Sequence, residues 1–303
     1  MYQISAELIA TKCQLESERF RIVVVGEFSR GKSTLVNAML GRLLLPASKQ
    51  PTTRVISKIV YGEKPLYTLH YRDGEQEFID EEEFLCIRVQ KEGQEWLGLH
   101  AKTGIRGMSH KIVSFDNIEY AEIMYPSDFC RNQIEIIDTP GTNDLNVGRM
   151  EINFNYVYQA DAIILVLSAI QALTQSELDF LKEQLIGNHI EDIFIAINYK
   201  DALDNAEQEK LVLEHVGSNI YQHTGRKPRM FLVSSQQALR YRRKQNGEQL
   251  KPKILEKIPT DFEITGFPAF ESALGRYLSE EKGLSKLRKY EIKIQKYKQE
   301  IQR

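Results

Sequence analysis

Gly26-Glu27-Phe28-Ser29-Arg30-Gly31-Lys32-Ser33 sets two glycines, a lysine and a serine at the spacing GxxxxGK[ST]. Phe20 to Val25, just before it, is a short apolar run with the look of a buried strand. Lys32 to Leu40, just after it, reads as a helix that Gly41 can cap. A strand, a glycine-rich turn and a helix in that order form a loop whose amides curl around an anion. Gly26 and Gly31 permit the curl because they carry no Cβ. In such a loop Lys32 bridges the β- and γ-phosphates of a nucleotide and the Ser33 hydroxyl ligates Mg²⁺. Ser29, Arg30 and Thr34 join the loop as further nucleotide contacts. A helix N-cap alone would explain Ser33 but not the full spacing.

Bulk properties leave room for this reading and close off others. The chain has 303 residues, 42% of them apolar, and a formal charge of −2, which suits a large α/β domain with a buried core. So small a charge argues against a nucleic-acid binder working through a general basic field. Cys13, Cys86 and Cys130 form no CxxC pair, as expected of a protein in a reducing cytosol. The histidines show no HExxH spacing. No signal peptide is visible at the start, and the apolar run from Ala160 to Leu173 is too short to span a membrane. A soluble, cytoplasmic protein is expected.

Three later motifs complete a nucleotide site. Asp138-Thr-Pro-Gly141 follows the strand-like Ile134 to Ile137, so Asp138 can enter the magnesium shell and the Gly141 amide can meet the γ-phosphate. Between that motif and the loop, Pro51-Thr52-Thr53 precedes another strand; Thr53 is the first candidate for Mg²⁺ and for the attacking water, and Thr52 the alternative. Asn198-Tyr199-Lys200-Asp201 ends a further strand where GTPases carry NKxD. The Asp201 carboxylate can accept both the N1–H and the N2 amino group of guanine, a donor pair that adenine lacks. Tyr199 replaces the lysine whose stem lies along the purine, and it either stacks there or points away. Lys200 stands one residue off and is expected to face the other side, though it stays within the base-site set. Ser234 and Ser235 are expected to offer backbone amides to the guanine oxygen.

The rest alternates strands with helices, the pattern of βαβ units and a mostly parallel, doubly wound sheet. Strands are expected at 54–61, 118–124, 162–167, 193–197 and 230–234, with a hairpin over 65–79 turning at Asp73-Gly74. Asp80, Thr174 and Asp204, each followed three residues later by glutamate, are expected to cap helices. Residues 240–265 read as a long polar loop, after which Pro268 opens a helix. The basic run Arg240 to Lys244 is a candidate for anionic lipid, with a solvated helix end as the plainer reading. Amphipathic helices are expected at 1–19 and at 283–303, the latter with a seam at Leu287, Tyr290, Ile294, Tyr297 and Ile301.

Taken together, GEFSRGKSTLVNAMLG, LPASKQPTTRVISKIVYG, IEIIDTPGTND and ADAIILVLSAIQALTQSELDFL resemble a bacterial dynamin-like GTPase, as do SSQQALRYRR and TGFPAF. The resemblance covers roughly residues 20–290. It implies an extended GTPase domain at 20–282, flanked by neck helices at 1–19 and 283–303. It further implies GTP and GDP with Mg²⁺ as ligands, pairing of two copies across the nucleotide face, and membrane remodelling or fusion. A lipid contact would then come through a missing region or a partner, placing the protein peripherally at a membrane.

Departures from the pattern bear on catalysis. Phe28 stands where eukaryotic dynamins carry a glutamine, while Ser29 matches their serine, and Thr142 stands where Ras-like proteins orient water. With Lys32, Thr53 and Ser29, Arg30 is a candidate catalytic residue that could offset transition-state charge; Arg54 and a monovalent cation are the alternatives. Two other functions fit the motifs: a regulatory GTPase of the ribosome-assembly type, or a nucleotide-binding scaffold that hydrolyses weakly.

Overall fold

The computed structural model describes residues 19–45, 55–87, 117–140, 156–188, 190–284, 287 and 291. Within them run strands β1 (Phe20–Val25), β2 (Ile56–Tyr61), β3 (Leu66–Tyr71), β4 (Gln76–Ile79), β5 (Ile118–Tyr125), β6 (Ile134–Asp138), β7 (Ala162–Ser168), β8 (Ile193–Asn198) and β9 (Arg229–Leu232). They join one sheet in the order β4-β3-β5-β2-β6-β1-β7-β8-β9. From β6 to β9 all neighbours are parallel. β2 runs antiparallel to β6 and parallel to β5, and the β3–β4 hairpin adds to the outer side of β5. The fold is the doubly wound, mostly parallel α/β sheet that the alternation of elements implies.

Burial explains why the central strands are unbroken apolar runs. Every residue of β7 is buried, because helices cover both faces of the parallel block. Side chains alternate across it: Val24 and Ile164 enter one core layer, Val23 and Ile163 the other. The first layer holds helices α1 (Lys32–Leu40), α2 (Glu81–Ile87), α5 (Ser235–Gln245) and α7 (Phe267–Arg276). Helices α3 (Gln175–Asp179) and α4 (Ala206–Thr224) flank the second layer, with a short α6 (Pro252–Leu255) between α5 and α7.

Local signals set most of the element ends. Gly41 takes φ 71° after α1, and Gly74 takes φ 86° in the hairpin turn. Asp80 and Glu83 exchange hydrogen bonds at the head of α2, and Thr174 and Glu177 do so at the head of α3. α3 continues as a π-turn over Phe180–Leu185 and a 3₁₀ turn over Ile186–Asn188.

Two expectations are corrected. The N-cap of α4 is Asn205, whose side chain accepts the Gln208 amide, while Asp204 binds the Gln208 side chain. Neighbouring Asp and Asn cap equally well, so register decides between them. Residues 240–245 are helix rather than loop. α5 buries only Ser235, Ala238 and Leu239, so its apolar stripe is thin. Its anchor is polar. Arg242 makes a two-pronged contact with Glu271 on α7 and donates to the carbonyls of Ala38 (2.6 Å) and Met39 (3.2 Å) at the end of α1. Arg243 pairs with Glu248 at 2.7 Å, so two cations of the basic run serve internal contacts.

Lys58 of β2 lies on the face away from α1, with its ammonium 3.2 Å from the Tyr120 ring centroid and 5.0 Å from that of Tyr156. Burial pushes its pKa from 10.5 down to about 8, against the attraction of Glu135.

All of the expected neck helix at 1–19 except Arg19, and all of the heptad seam except Leu287, lie outside the described residues; Leu287 itself is exposed. No helix among the described residues is long and apolar enough to cross a membrane.

Candidate functional site

The site forms where the C-terminal ends of β1, β6, β7 and β8 meet the head of α1, the usual place for a ligand in an open α/β sheet. Gly26 opens the loop at φ 149°, and a Cβ there would sit 2.4 Å from the Val166 carbonyl oxygen. Only glycine lets β1 turn this close to β7. Ser29 (φ 60°) and Gly31 (φ 89°) are left-handed, and the chain then enters α1. Gly31 gives that helix no side-chain cap, and no acidic residue lies in its first turn, an arrangement suited to an anion. Lys32 is buried, with its ammonium donating to the carbonyls of Gly26 and Glu27 at 3.0 Å each. The loop thus positions the cation by its own backbone. Thr34 is half-buried one residue beyond Ser33.

The Ser33 hydroxyl donates to Asp138 Oδ2 at 2.7 Å, and Asp138 is fully buried. A hydroxyl and a carboxylate side by side at a helix head are hard oxygen donors, which fit Mg²⁺. No cluster of three or more His, Cys, Asp or Glu among the described residues could hold a metal by itself. A magnesium ion held partly by phosphates needs no such cluster. Ser57 lies directly across from Asp138 in the β2–β6 register, with a buried hydroxyl that has no partner among the described residues.

Arg30 is committed to an ion-pair network. Its Nε donates to Glu177 at 2.8 Å and its Nη2 to Glu27 at 2.6 Å. Glu27 also accepts the hydroxyls of Ser176 (2.5 Å) and Thr174 (3.3 Å). Burial pushes the Glu27 carboxyl up, but the Ser176 hydrogen bond and the Arg30 charge outweigh it and hold the pKa below the usual value. At Glu177 burial wins, and its pKa rises despite the Thr174 amide and Arg30. Glu27, Ser176 and the ion-pairing role of Glu177 do not show in the sequence, where Glu177 reads only as a helix cap.

The base-site motif is tied into the same loop. Asn198 Nδ2 donates to the Arg30 carbonyl at 2.9 Å, while its Oδ1 accepts the Ser235 amide at 3.0 Å. Tyr199 turns toward the loop, and its hydroxyl donates to the Ser29 carbonyl at 2.6 Å. Lys200 faces elsewhere, 3.3 Å from Glu209 on α4. Exposed Asp201 accepts the Ser234 hydroxyl at 2.5 Å. The two amides expected to meet a guanine oxygen are both engaged: Ser234 N–H donates to Thr265 O at 2.8 Å and Ser235 N–H to Asn198. Ser234 therefore meets Asp201 through its hydroxyl and not through its amide. Phe28 is 39% exposed on the loop. Thr52, Thr53, Arg54, Gly141 and Thr142 lie outside the described residues.

Comparison with known proteins agrees with this fold. The model of the dynamin family matches residues 22–201. A bacterial dynamin-like protein of Nostoc punctiforme is 30% identical, over 92% of this chain and 40% of that protein. Dynamin-like protein 1 of Campylobacter jejuni is 26% identical, over 69% of this chain and 31% of its own length. A solved structure of an oligomerised bacterial dynamin pair, described as a mechanism for the long-range sensing and tethering of membranes, superposes with a TM-score of 0.60. It shares 20% identity and covers 99% of this chain and 52% of that one, a likeness of fold. The chain spans about half the length of these relatives or less. With the family match at 22–201 spanning more than half of its residues, the chain belongs to the dynamin family.

Proposed function

We propose that the chain binds GTP and GDP with Mg²⁺ and hydrolyses GTP to GDP and phosphate. Nucleotide-dependent pairing of two copies across the nucleotide face then couples the cycle to membrane remodelling or fusion, with the protein cytoplasmic and peripheral at a membrane. The observation that carries the reading is the Ser33–Asp138 contact at 2.7 Å, set at the head of α1 beside a buried Lys32. Membership of the dynamin family supports it, and the membrane role rests on the resemblance to dynamin-like proteins.

Each residue has a distinct part. Lys32 exchanges the carbonyls of Gly26 and Glu27 for phosphate oxygens as nucleotide enters, so its charge needs little reorganisation. Ser33 and Asp138 would hold magnesium, which would supply positive charge to neutralise and orient the phosphates. Thr53 would supply a hydroxyl to the metal and a carbonyl to the attacking water, and Gly141 an amide to the γ-phosphate; both lie outside the described residues. Asp201, steadied by Ser234, accepts the paired donors of guanine. Arg30, gripped by Glu27 and Glu177, shapes the loop in this conformation and delivers charge to phosphate only after release from both.

That grip, with Phe28 exposed where a hydrogen-bonding side chain would reach water, favours one second reading: a nucleotide-binding scaffold with slow hydrolysis. GTP turnover with Mg²⁺ at rising protein concentration, alongside size-exclusion with a transition-state mimic, separates the two. A rate per molecule that climbs with concentration, together with a dimer, supports the first. A flat, slow rate and a monomer throughout reject it.

A further inference from the structure

β2 buries a hydroxyl beside the carboxylate expected to take magnesium. Residues directly opposite each other in an antiparallel pair share one face of the sheet, with Cβ atoms about 4.5–5.5 Å apart. Ser57 is opposite Asp138. Its side chain therefore lies on the face that Asp138 turns toward Ser33 at the head of α1. The rest of the strand agrees with this placement. Ile59, two residues on, enters the core layer that holds α1, while Lys58 between them reaches Tyr120 and Tyr156 on the other face. Ser57 is 0% exposed, and its hydroxyl has no hydrogen-bond partner among the described residues. Burying a hydroxyl without a partner costs stability, and alanine at the same place would avoid that cost. Three oxygen-bearing side chains thus converge from three elements: Ser33 of α1, Asp138 of β6 and Ser57 of β2. Ser33 and Asp138 already bond to each other at 2.7 Å. Magnesium bound through a carboxylate and phosphates keeps several of its waters. A serine hydroxyl can accept a proton from such a water and give its own to a carboxylate oxygen.

We propose that Ser57 is a positioning residue of the magnesium site, acting on the water shell of the ion and on the Asp138 carboxylate rather than on the ion itself. The inference rests on the reading above, in which Ser33 and Asp138 take magnesium with a guanine nucleotide. The buried hydroxyl gains from the hydrated ion the partner that the described protein residues do not give it. Part of the cost of burying it is then recovered on binding, so Ser57 favours the ion-loaded protein over the ion-free one. Its effect falls on how tightly the ion is held, not on the grip of the phosphate-binding loop on the nucleotide. Groups that orient the direct ligands of a metal typically change its affinity 10- to 100-fold when removed.

The test loads the full chain with fluorescently labelled GDP and titrates Mg²⁺, reading the ion's affinity from the slowing of GDP release in stopped flow. Wild type, Ser57→Ala and Ser57→Thr are compared. GDP affinity in EDTA and the urea midpoint of the ligand-free protein are measured beside it. In Ser57→Ala the Mg²⁺ concentration giving half the effect should rise roughly 10- to 100-fold. Its GDP affinity in EDTA should match wild type, and its ligand-free urea midpoint should be no lower, because the lost hydroxyl had no partner to give up. Ser57→Thr keeps the hydroxyl and should recover most of the Mg²⁺ response. An unchanged Mg²⁺ midpoint in Ser57→Ala overturns the assignment. So does a Ser57→Ala protein whose GDP affinity in EDTA and ligand-free stability both fall, which marks a structural role, and so does a Ser57→Thr protein as weak for Mg²⁺ as Ser57→Ala. A wild-type protein that binds no GDP, or whose GDP release ignores Mg²⁺, overturns the reading beneath the proposal, and the two failures are thereby told apart.

Discussion

Arg30 and Glu177 meet at 2.8 Å, with side chains 11% and 1% exposed, and join the phosphate-binding loop to the first turn of α3 across 147 positions of sequence. Neutralising Glu177 leaves the buried Arg30 guanidinium with Glu27 as its remaining ion-pair partner among the described residues. Glu177→Gln should therefore lower stability by about 1–3 kcal/mol. The amide oxygen of glutamine can still accept the Thr174 N–H, now at 2.8 Å from the carboxylate, so the helix cap survives and the loss reports the ion pair. Urea unfolding of the two proteins measures it, and an unchanged midpoint would count against the pair as a tie.

Lys32→Ala should reduce nucleotide affinity by at least about 100-fold, because a charge-assisted contact to two phosphate groups disappears from a buried site. Titration calorimetry with GDP and Mg²⁺ checks the binding, and circular dichroism checks that the fold persists. Undiminished GTP hydrolysis would remove Lys32 from the phosphate site.

Asp201→Asn should shift base preference from guanine toward xanthine. The amide can donate to the C2 oxygen of xanthine, whereas the carboxylate can only accept. Guanine should lose roughly tenfold or more, the value of one polar contact left unpaired. Competition of GDP and XDP against a labelled nucleotide measures the change. An unaltered ranking would move base recognition away from Asp201.

Lys58 makes stability depend on pH in a definite direction. Its pKa falls from 10.5 to about 8 on folding, so between those values the unfolded chain binds more protons than the folded one. Stability from this residue therefore rises as pH climbs from about 8 toward 10.5, and the penalty is constant below that window. Lys58→Met should flatten the slope and raise stability at neutral pH. Urea midpoints at pH 7, 8 and 9 for both proteins decide it; parallel curves would show that folding does not lower the pKa of this amine.

Much of the site is legible in the sequence because its parts are local. The spacing from Gly26 to Ser33 needs one turn to act, and the unbroken apolar run of β7 needs only burial on both faces. Asp138 sits at the end of a strand, where the sequence places it beside Ser33. What stays hidden depends on distant partners. Nothing near Glu27 announces Ser176, and nothing near Arg30 announces Glu177, since both contacts cross from the loop to α3. The destination of Tyr199 depends on a left-handed backbone that aromatic residues rarely adopt. The Ser234 and Ser235 amides donate instead to Thr265 O and Asn198 Oδ1, acceptors that no spacing rule foresees. α5 was obscured by its own chemistry, because an arginine rather than an apolar stripe fastens it.

That arginine has a mechanical meaning. α1 has nine residues and is about 13 Å long, with Lys32 and Ser33 at one end and, at the other, the carbonyls of Ala38 and Met39 that Arg242 grasps. The same guanidinium holds Glu271 on the helix that leads toward the C-terminus, and Asn246 adds a bond to the Gly41 carbonyl at 3.0 Å. A tug at the nucleotide end of this short rod is felt at its far tip by two other helices at once, through hydrogen bonds with no slack between them.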